Sequence, residues 1–159
     1  MSEESVNVFY NLINHPIFLS AFFSWFVAQF IKSIIEITKR KPGFSRDSIK
    51  GFLFVTGGMP SSHSSVVAAL ATSVGFIEGI DSPLFITLLC YGILTVRDAL
   101  GVRRSSGKQA EALNRIGLEI QKRFKIPYSP VKEVRGHKTS EVSVGILLGF
   151  FISVAFCKL

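Results

Sequence analysis

Three short polar runs interrupt an apolar chain, and each holds residue types able to handle an anion. The first is Gly57-Gly58-Met59-Pro60-Ser61-Ser62-His63-Ser64. A glycine pair lets the backbone come close to a ligand, and Pro-Ser-Ser starts a helix well. The N–H groups of a helix N-terminus attract anions, and a histidine there can exchange a proton near neutral pH. The second run, Arg97-Asp98-Ala99-Leu100-Gly101-Val102-Arg103-Arg104 with Gly107-Lys108-Gln109-Ala110, supplies forked guanidinium donors suited to phosphate oxygens. The third, Arg135-Gly136-His137-Lys138-Thr139-Ser140-Glu141-Val142, sets His137 four residues before Glu141, on one face if the run is helical. A carboxylate that holds one ring nitrogen leaves the other free to attack. Each run also has a plainer reading: a capped membrane helix, positive charge at an inner membrane surface, and an ordinary helix-start pair.

Lys32 is the fourth candidate, with Glu36 four residues on and Gln29 on roughly the same face. An ionisable residue inside an apolar span costs about 2.5–3.5 kcal/mol on insertion scales and is a functional suspect by default. An ion pair with Glu36 or snorkelling to the inner surface would also account for it.

The elements that must position these residues are apolar helices. The chain has 159 residues, enough for one domain, with 48% hydrophobic and 18% charged residues, 15 Phe, and a mean hydropathy of +0.41. That composition excludes a disordered tail, a coiled coil and a disulfide-stapled module. Four stretches approach the roughly 20 residues needed to cross a bilayer: Pro16–Ile37, Ser64–Ile80, Pro83–Val96 (to Val102 if its end lies in the interface), and Val142–Cys157. The expected fold is all-α, a multi-pass membrane bundle of about four transmembrane helices in a single domain over 1–159. Ala110, Leu113, Ile116, Ile120 and Phe124 recur at helical spacing among charges, which predicts a cytoplasmic amphipathic helix. That helix would pack on the bundle or lie in the interface, with Ile126-Pro127-Tyr128-Ser129-Pro130 ending it. Lys39–Lys50, with Pro42 and Gly43, reads as a short loop.

Charge sets an orientation. Sixteen of the 18 Lys and Arg fall after the first span or between the third and fourth, whereas Glu78 and Asp81 lie between the second and third. Positive segments stay cytoplasmic, which predicts both termini outside and all three polar runs inside. The net charge of +7 is therefore a topology signal first, an attraction for anionic lipid second, and a poor indication of nucleic acid. Cys90 and Cys157 fall within spans, and nothing supports a disulfide or a metal site. With Glu3 and Glu4 ahead of the first apolar run, no cleavable signal is expected.

Taken together, Gly58–Ser64, Asp98–Arg104 with Gly107–Ala110, and Gly136–Val142 resemble the divergent branch of the type 2 phosphatidic acid phosphatase superfamily, which also includes the vanadium-dependent haloperoxidases. The likeness runs from about Gln29 to the last span. It implies that Lys32 binds phosphate, and that Pro60-Ser61-Ser62-His63 is the second motif, with Ser61 and Ser62 near the phosphate and His63 the acid that protonates the leaving oxygen. It also implies that His137 is the nucleophile and that Glu141 orients it. Ser62 stands where the better-studied branch has glycine, Glu141 where it has aspartate, and Val131 where it has an arginine, so the guanidinium would come from Arg103 or Arg104.

The activity so implied is hydrolysis of a phosphomonoester or diphosphate, with lipid-linked esters among the candidates, through a phosphohistidine and with no metal or cofactor. The main alternative is a catalytically inactive phosphate- or lipid-binding membrane protein of the same fold. A structural protein that docks a soluble partner on its basic helix is a third reading. Nothing in the residues favours oxidative halogenation, and no motif indicates an oligomer.

Overall fold

The computed structural model describes residues 3–39, 58–133 and 136–158. The predicted loop over Lys39–Lys50 lies almost wholly outside them, as do Arg135 and the Glu36 side chain. Among the described residues are six α-helices: α1 Glu3–Ile13, α2 Pro16–Lys39, α3 Ser62–Ile77, α4 Pro83–Arg97, α5 Arg103–Phe124 and α6 Thr139–Lys158. A widened π-type turn, Asp98–Val102, joins α4 to α5. Three helical stretches, within α2, across α4–α5 and over α6, are long and apolar enough to cross a membrane, and α3 is a shorter apolar helix of 16 residues. The all-α membrane bundle is therefore as expected, with boundaries within a few residues of the hydropathy reading.

The bundle is ordered inside-out relative to a water-soluble protein. On α2, Phe18, Phe22, Phe26 and Phe30 recur every four residues on the outer surface, and Phe22 stacks with both Phe18 and Phe26. Ser20, Ser24, Ala28 and Lys32 recur every four residues on the opposite face and are buried. The facing row on α3 is Ser61, Ser65, Ala69 and Ser73, and on α6 it is Gly145, Gly149 and Ser153. Lipid tails are as apolar as leucine, so helices in a bilayer associate by close packing and interhelical hydrogen bonds, which small residues permit.

Here the approach is between backbones. A Cβ on Gly145 would lie 2.5 Å from the Ser61 carbonyl oxygen, and one on Gly149 only 2.1 Å from that of Ser65. The Ser153 hydroxyl donates across to the Ala69 carbonyl at 2.7 Å, and the Ser65 hydroxyl to that of Ser24 at 3.4 Å. Thus α3 is central, packed on α2, α6 and α4. Helix α4 has no buried residue and is held at one side of α3, with Gly92 against Val67 and Phe85 against Gly75.

The amphipathic helix forms, and of the two placements expected for it the one packed on the bundle is not adopted. It runs on from α4 through the wide turn as one 42-residue helical stretch, Pro83–Phe124, instead of packing on α2, α3 or α6. The chain then doubles back. Lys125 adopts the left-handed conformation that ends the helix (φ 59°). The following extended segment is tied to α5 by the buried Asn114, whose amide is fully used. Oδ1 accepts from Tyr128 Oη and the Val131 N–H, while Nδ2 donates to the Val131 carbonyl and Glu133 Oε1, all at 2.8–2.9 Å. The Tyr128 ring lies where a side chain on Gly117 would be. A helix of 22 residues travels about 33 Å, and about ten extended residues cover the same distance, so the strap returns the chain to the membrane end of α5.

The glycines separate by role. Gly149→Leu should lower thermal stability in detergent by several degrees or abolish folding, because overpacking a tight contact costs about 1–3 kcal/mol or more. Gly101, with nothing within 4 Å of its added Cβ, should accept alanine without loss. Equal melting temperatures for Gly149→Leu and wild type would refute the close packing.

Candidate functional site

The three polar runs meet at one end of the bundle, tied by two main-chain hydrogen bonds. The Ser61 N–H donates to the Glu141 carbonyl at 2.9 Å, joining the first run to the third. The His137 N–H donates to the Ala99 carbonyl at 3.2 Å, joining the third to the second. Gly136 makes the second junction possible: a Cβ there would lie 2.4 Å from the Arg104 Cα, so no larger residue lets the strap lie against α5.

Ser61 caps α3 from an extended conformation, its Oγ accepting from the Ser64 N–H at 3.4 Å and the Ser64 hydroxyl at 3.0 Å. Its own N–H is already taken by Glu141. The amides of Ser62 and His63 at the head of α3 carry no hydrogen bond among the described residues, and these two remain for an anion. Gly58 has φ +84°, a conformation glycine adopts without strain, and a Cβ added there would lie 3.9 Å from Lys32 Cγ.

Lys32 ends the small-residue row of α2, seven residues and roughly 10 Å before that helix stops. It is 3% exposed, and its Nζ donates to Ser62 Oγ at 3.3 Å. Its charge thus lies beside the head of α3. Gln29 and Ser33 are buried on the same helix.

His137 precedes α6, which begins at Thr139, so His137 and Glu141 do not share a helix face as the spacing suggested. Glu141 Oε2 accepts from the Lys138 N–H at 3.1 Å, the reciprocal half of a helix cap, and makes no hydrogen bond to the ring. The cause is local: a glutamate three residues into a helix reaches the unsatisfied amide before its first turn. The carboxylate still acts on the ring through its charge. His137 itself is only 6% exposed, and neither Nδ1 nor Nε2 has a partner among the described residues. Buried polar atoms without partners are rare and costly in folded proteins. Burial holds the ring below the ordinary histidine value of 6.5. Glu141 opposes that shift, while Lys32, His63 and Arg103 add to it.

The charges acting on the two imidazoles define the cluster. Lys32, His63, Arg103 and Glu141 act on His137, and Lys32, Arg103 and Asp98 act on His63. Arg104 is not among them, and the part of it that lies against Gly136 is its N, Cα and Cβ. His63 is exposed, and Arg103 and Asp98 are half-exposed. Of the residues singled out from sequence, His63, His137, Lys32, Ser61, Ser62, Glu141 and Arg103 come together. No group of three His, Cys, Asp or Glu that could hold a metal occurs among the described residues.

The family model described as Divergent PAP2 family matches residues 13–152, a span that takes in all three runs. The chain belongs to that family. It is 36% identical to the uncharacterized membrane protein YuiD of Bacillus subtilis (strain 168), over 90% of this chain and 94% of that protein. No solved structure matches. It is thus an integral membrane protein of the divergent PAP2 family.

Sequence reasoning missed two features. The Gly145-x-x-x-Gly149 spacing was a readable signal for close helix packing. The Ala99 carbonyl, which holds the His137 backbone, has no sequence signal at all. The difference in burial is open to measurement. Diethyl pyrocarbonate should modify the exposed His15 and His63 at least several-fold faster than His137, followed by mass spectrometry of the detergent-solubilised protein. Equal rates at all three would show that His137 is not enclosed.

Proposed function

We propose that the protein is a membrane phosphatase that hydrolyses a phosphomonoester or diphosphate through a phosphohistidine on His137. The observation that carries this reading is the enclosed His137 ring, neither nitrogen with a partner among the described residues, within reach of the charges of Lys32 and Arg103 and of a second histidine. The main work of phosphoryl transfer is to neutralise charge and align the nucleophile with the leaving oxygen. In this reading Lys32, Arg103 and the Ser62 and His63 amides hold the phosphate oxygens, with the Ser61 and Ser62 hydroxyls alongside. A lone pair of neutral His137 attacks phosphorus, the bond to the leaving oxygen breaks, and protonated His63 gives that oxygen its proton. His63, now neutral, takes a proton from water as the water cleaves the phosphorus–nitrogen bond, which frees phosphate and His137. Glu141 supports the positive charge that the ring gains, through space. No metal or cofactor enters these steps.

A second reading, a non-catalytic phosphate- or lipid-binding protein, draws support from one observation: the Glu141 carboxylate is bonded to the Lys138 amide and not to the ring. A phosphate-release screen of the detergent-purified protein separates the two. Release should fall at least a hundredfold in His137→Ala and His63→Ala, and acid-labile phosphate should be trapped on His137. Binding of orthovanadate without turnover of any ester would favour the second reading.

The pH dependence carries a sign. His137 must be neutral to attack, and its value is held below 6.5, so activity should persist on the acid side of that pH. Removing a neighbouring cation with Lys32→Met relieves one of the charges that lower it, so the acid limb of any residual activity should move to higher pH. Glu141→Gln should move it the other way. Limbs that shift in the opposite directions would sink the assignment.

The basic segments support a cytoplasmic site and, with it, inner-leaflet or soluble phosphate esters as substrates. A cysteine at Asp81 should react with an impermeant maleimide from outside the cell, and one at Ser62 only after permeabilisation. Labelling at Ser62 from outside would reverse the orientation.

A further inference from the structure

The π-type turn Asp98–Val102 brings together two side chains that a regular helix would separate. Residues five apart on an α-helix point about 140° away from each other. Here the Arg103 N–H donates to the carbonyl of Asp98, five residues back, and the wider turn closes that angle. Arg103 Nε then donates to Asp98 Oδ2 at 2.6 Å. The same turn offers the Ala99 carbonyl to the His137 N–H. One local irregularity therefore sets both the backbone of the enclosed histidine and the side chain of the arginine whose charge reaches both imidazoles. Such single-turn insertions recur at functional sites.

Stability is a weak reason for the pair. Its side chains are 45% and 41% exposed, and ion pairs so exposed contribute little to folding. Its geometry is more informative. A guanidinium has five donors in a rigid fork, and a carboxylate on Nε leaves the terminal N–H groups of the outer edge for a second anion. We propose that Asp98 is a positioning residue of the anion site. By holding the Nε edge of Arg103 across the widened turn, it turns the outer edge toward an anion between His63 and His137. Arg103, and not Arg104, is then the guanidinium that grips it. This inference rests on the anion-site reading given above and goes beyond it by naming the residue that aims the arginine.

Orthovanadate, a phosphate analogue, is the probe, its affinity measured calorimetrically on the full chain in detergent alongside the melting temperature. Arg103→Ala should weaken binding about tenfold or more, the loss of a charge-assisted contact. Asp98→Ala should weaken it several-fold. Asp98→Asn, whose amide oxygen still accepts from Nε, should stay within about threefold of wild type, as should Arg104→Ala. Because Asp98 acts through Arg103, the double variant Asp98→Ala/Arg103→Ala should bind no more weakly than Arg103→Ala alone. If the pair only staples the turn, Asp98→Ala and Arg103→Ala will lower the melting temperature and leave vanadate affinity unchanged, which overturns the proposal. Additive losses in the double variant, or an Asp98→Asn loss equal to that of Asp98→Ala, also overturn it. A wild type that binds no vanadate removes the anion-site reading and this inference together; binding that ignores Arg103 removes this inference alone.

Discussion

Helix α6 lies against α3 at backbone distance, and the site exists because of that contact. Gly149 meets the Ser65 carbonyl and Gly145 meets that of Ser61, so nothing larger than hydrogen can separate the helices. Only at that separation can the Ser61 N–H reach the Glu141 carbonyl. That bond aligns the head of α3 with the head of α6, which puts an anion-attracting helix terminus beside the segment carrying His137. Serines on the same rows return their hydroxyls to backbone carbonyls and leave no buried polar debt in the hydrocarbon.

The close bundle also explains how a lysine can be kept inside it. Lys32 continues the row Ser20, Ser24, Ala28 and therefore points inward, away from lipid, where Ser62 receives it. A charge in that place is costly unless something answers it. Lys32, Arg103 and the Glu141 and Asp98 carboxylates act on the two imidazoles, two charges of each sign, and the cluster is half-open at His63 and Arg103. Buried imidazole nitrogens with no partner among the described residues are costly, which sets His137 apart from the bonded serines of the same bundle.

Delivery of the third run depends on a detour. Helix α5 leaves the bundle, Asn114 ties the returning strap to it with four hydrogen bonds, and Gly136 lets the strap end flat against Arg104. Phe124, Ile116 and Leu113 stay exposed along this arm. The reading of an amphipathic helix was sound in its existence and approximate extent. Its continuity with α4 was not visible, because a glycine such as Gly101 suits a break between helices as well as a widened turn at Asp98–Val102.

The sequence alone determined the membrane class, the spans and the family likeness. These depend on composition and on patterns that each segment carries by itself: the apolar runs, the helical spacing of Ala110 to Phe124, the motif spacing. It also named Lys32, His63, His137 and one of Arg103 or Arg104 as a set. What only the tertiary structure decided is which atoms within that set are already engaged. Glu141 gives its carboxylate to Lys138 and its carbonyl to Ser61, the Ser61 amide is spoken for, and Asp98 holds Arg103. Hydrogen bonds are settled by distances of a few tenths of an ångström between segments far apart in the chain, and no local pattern encodes those distances.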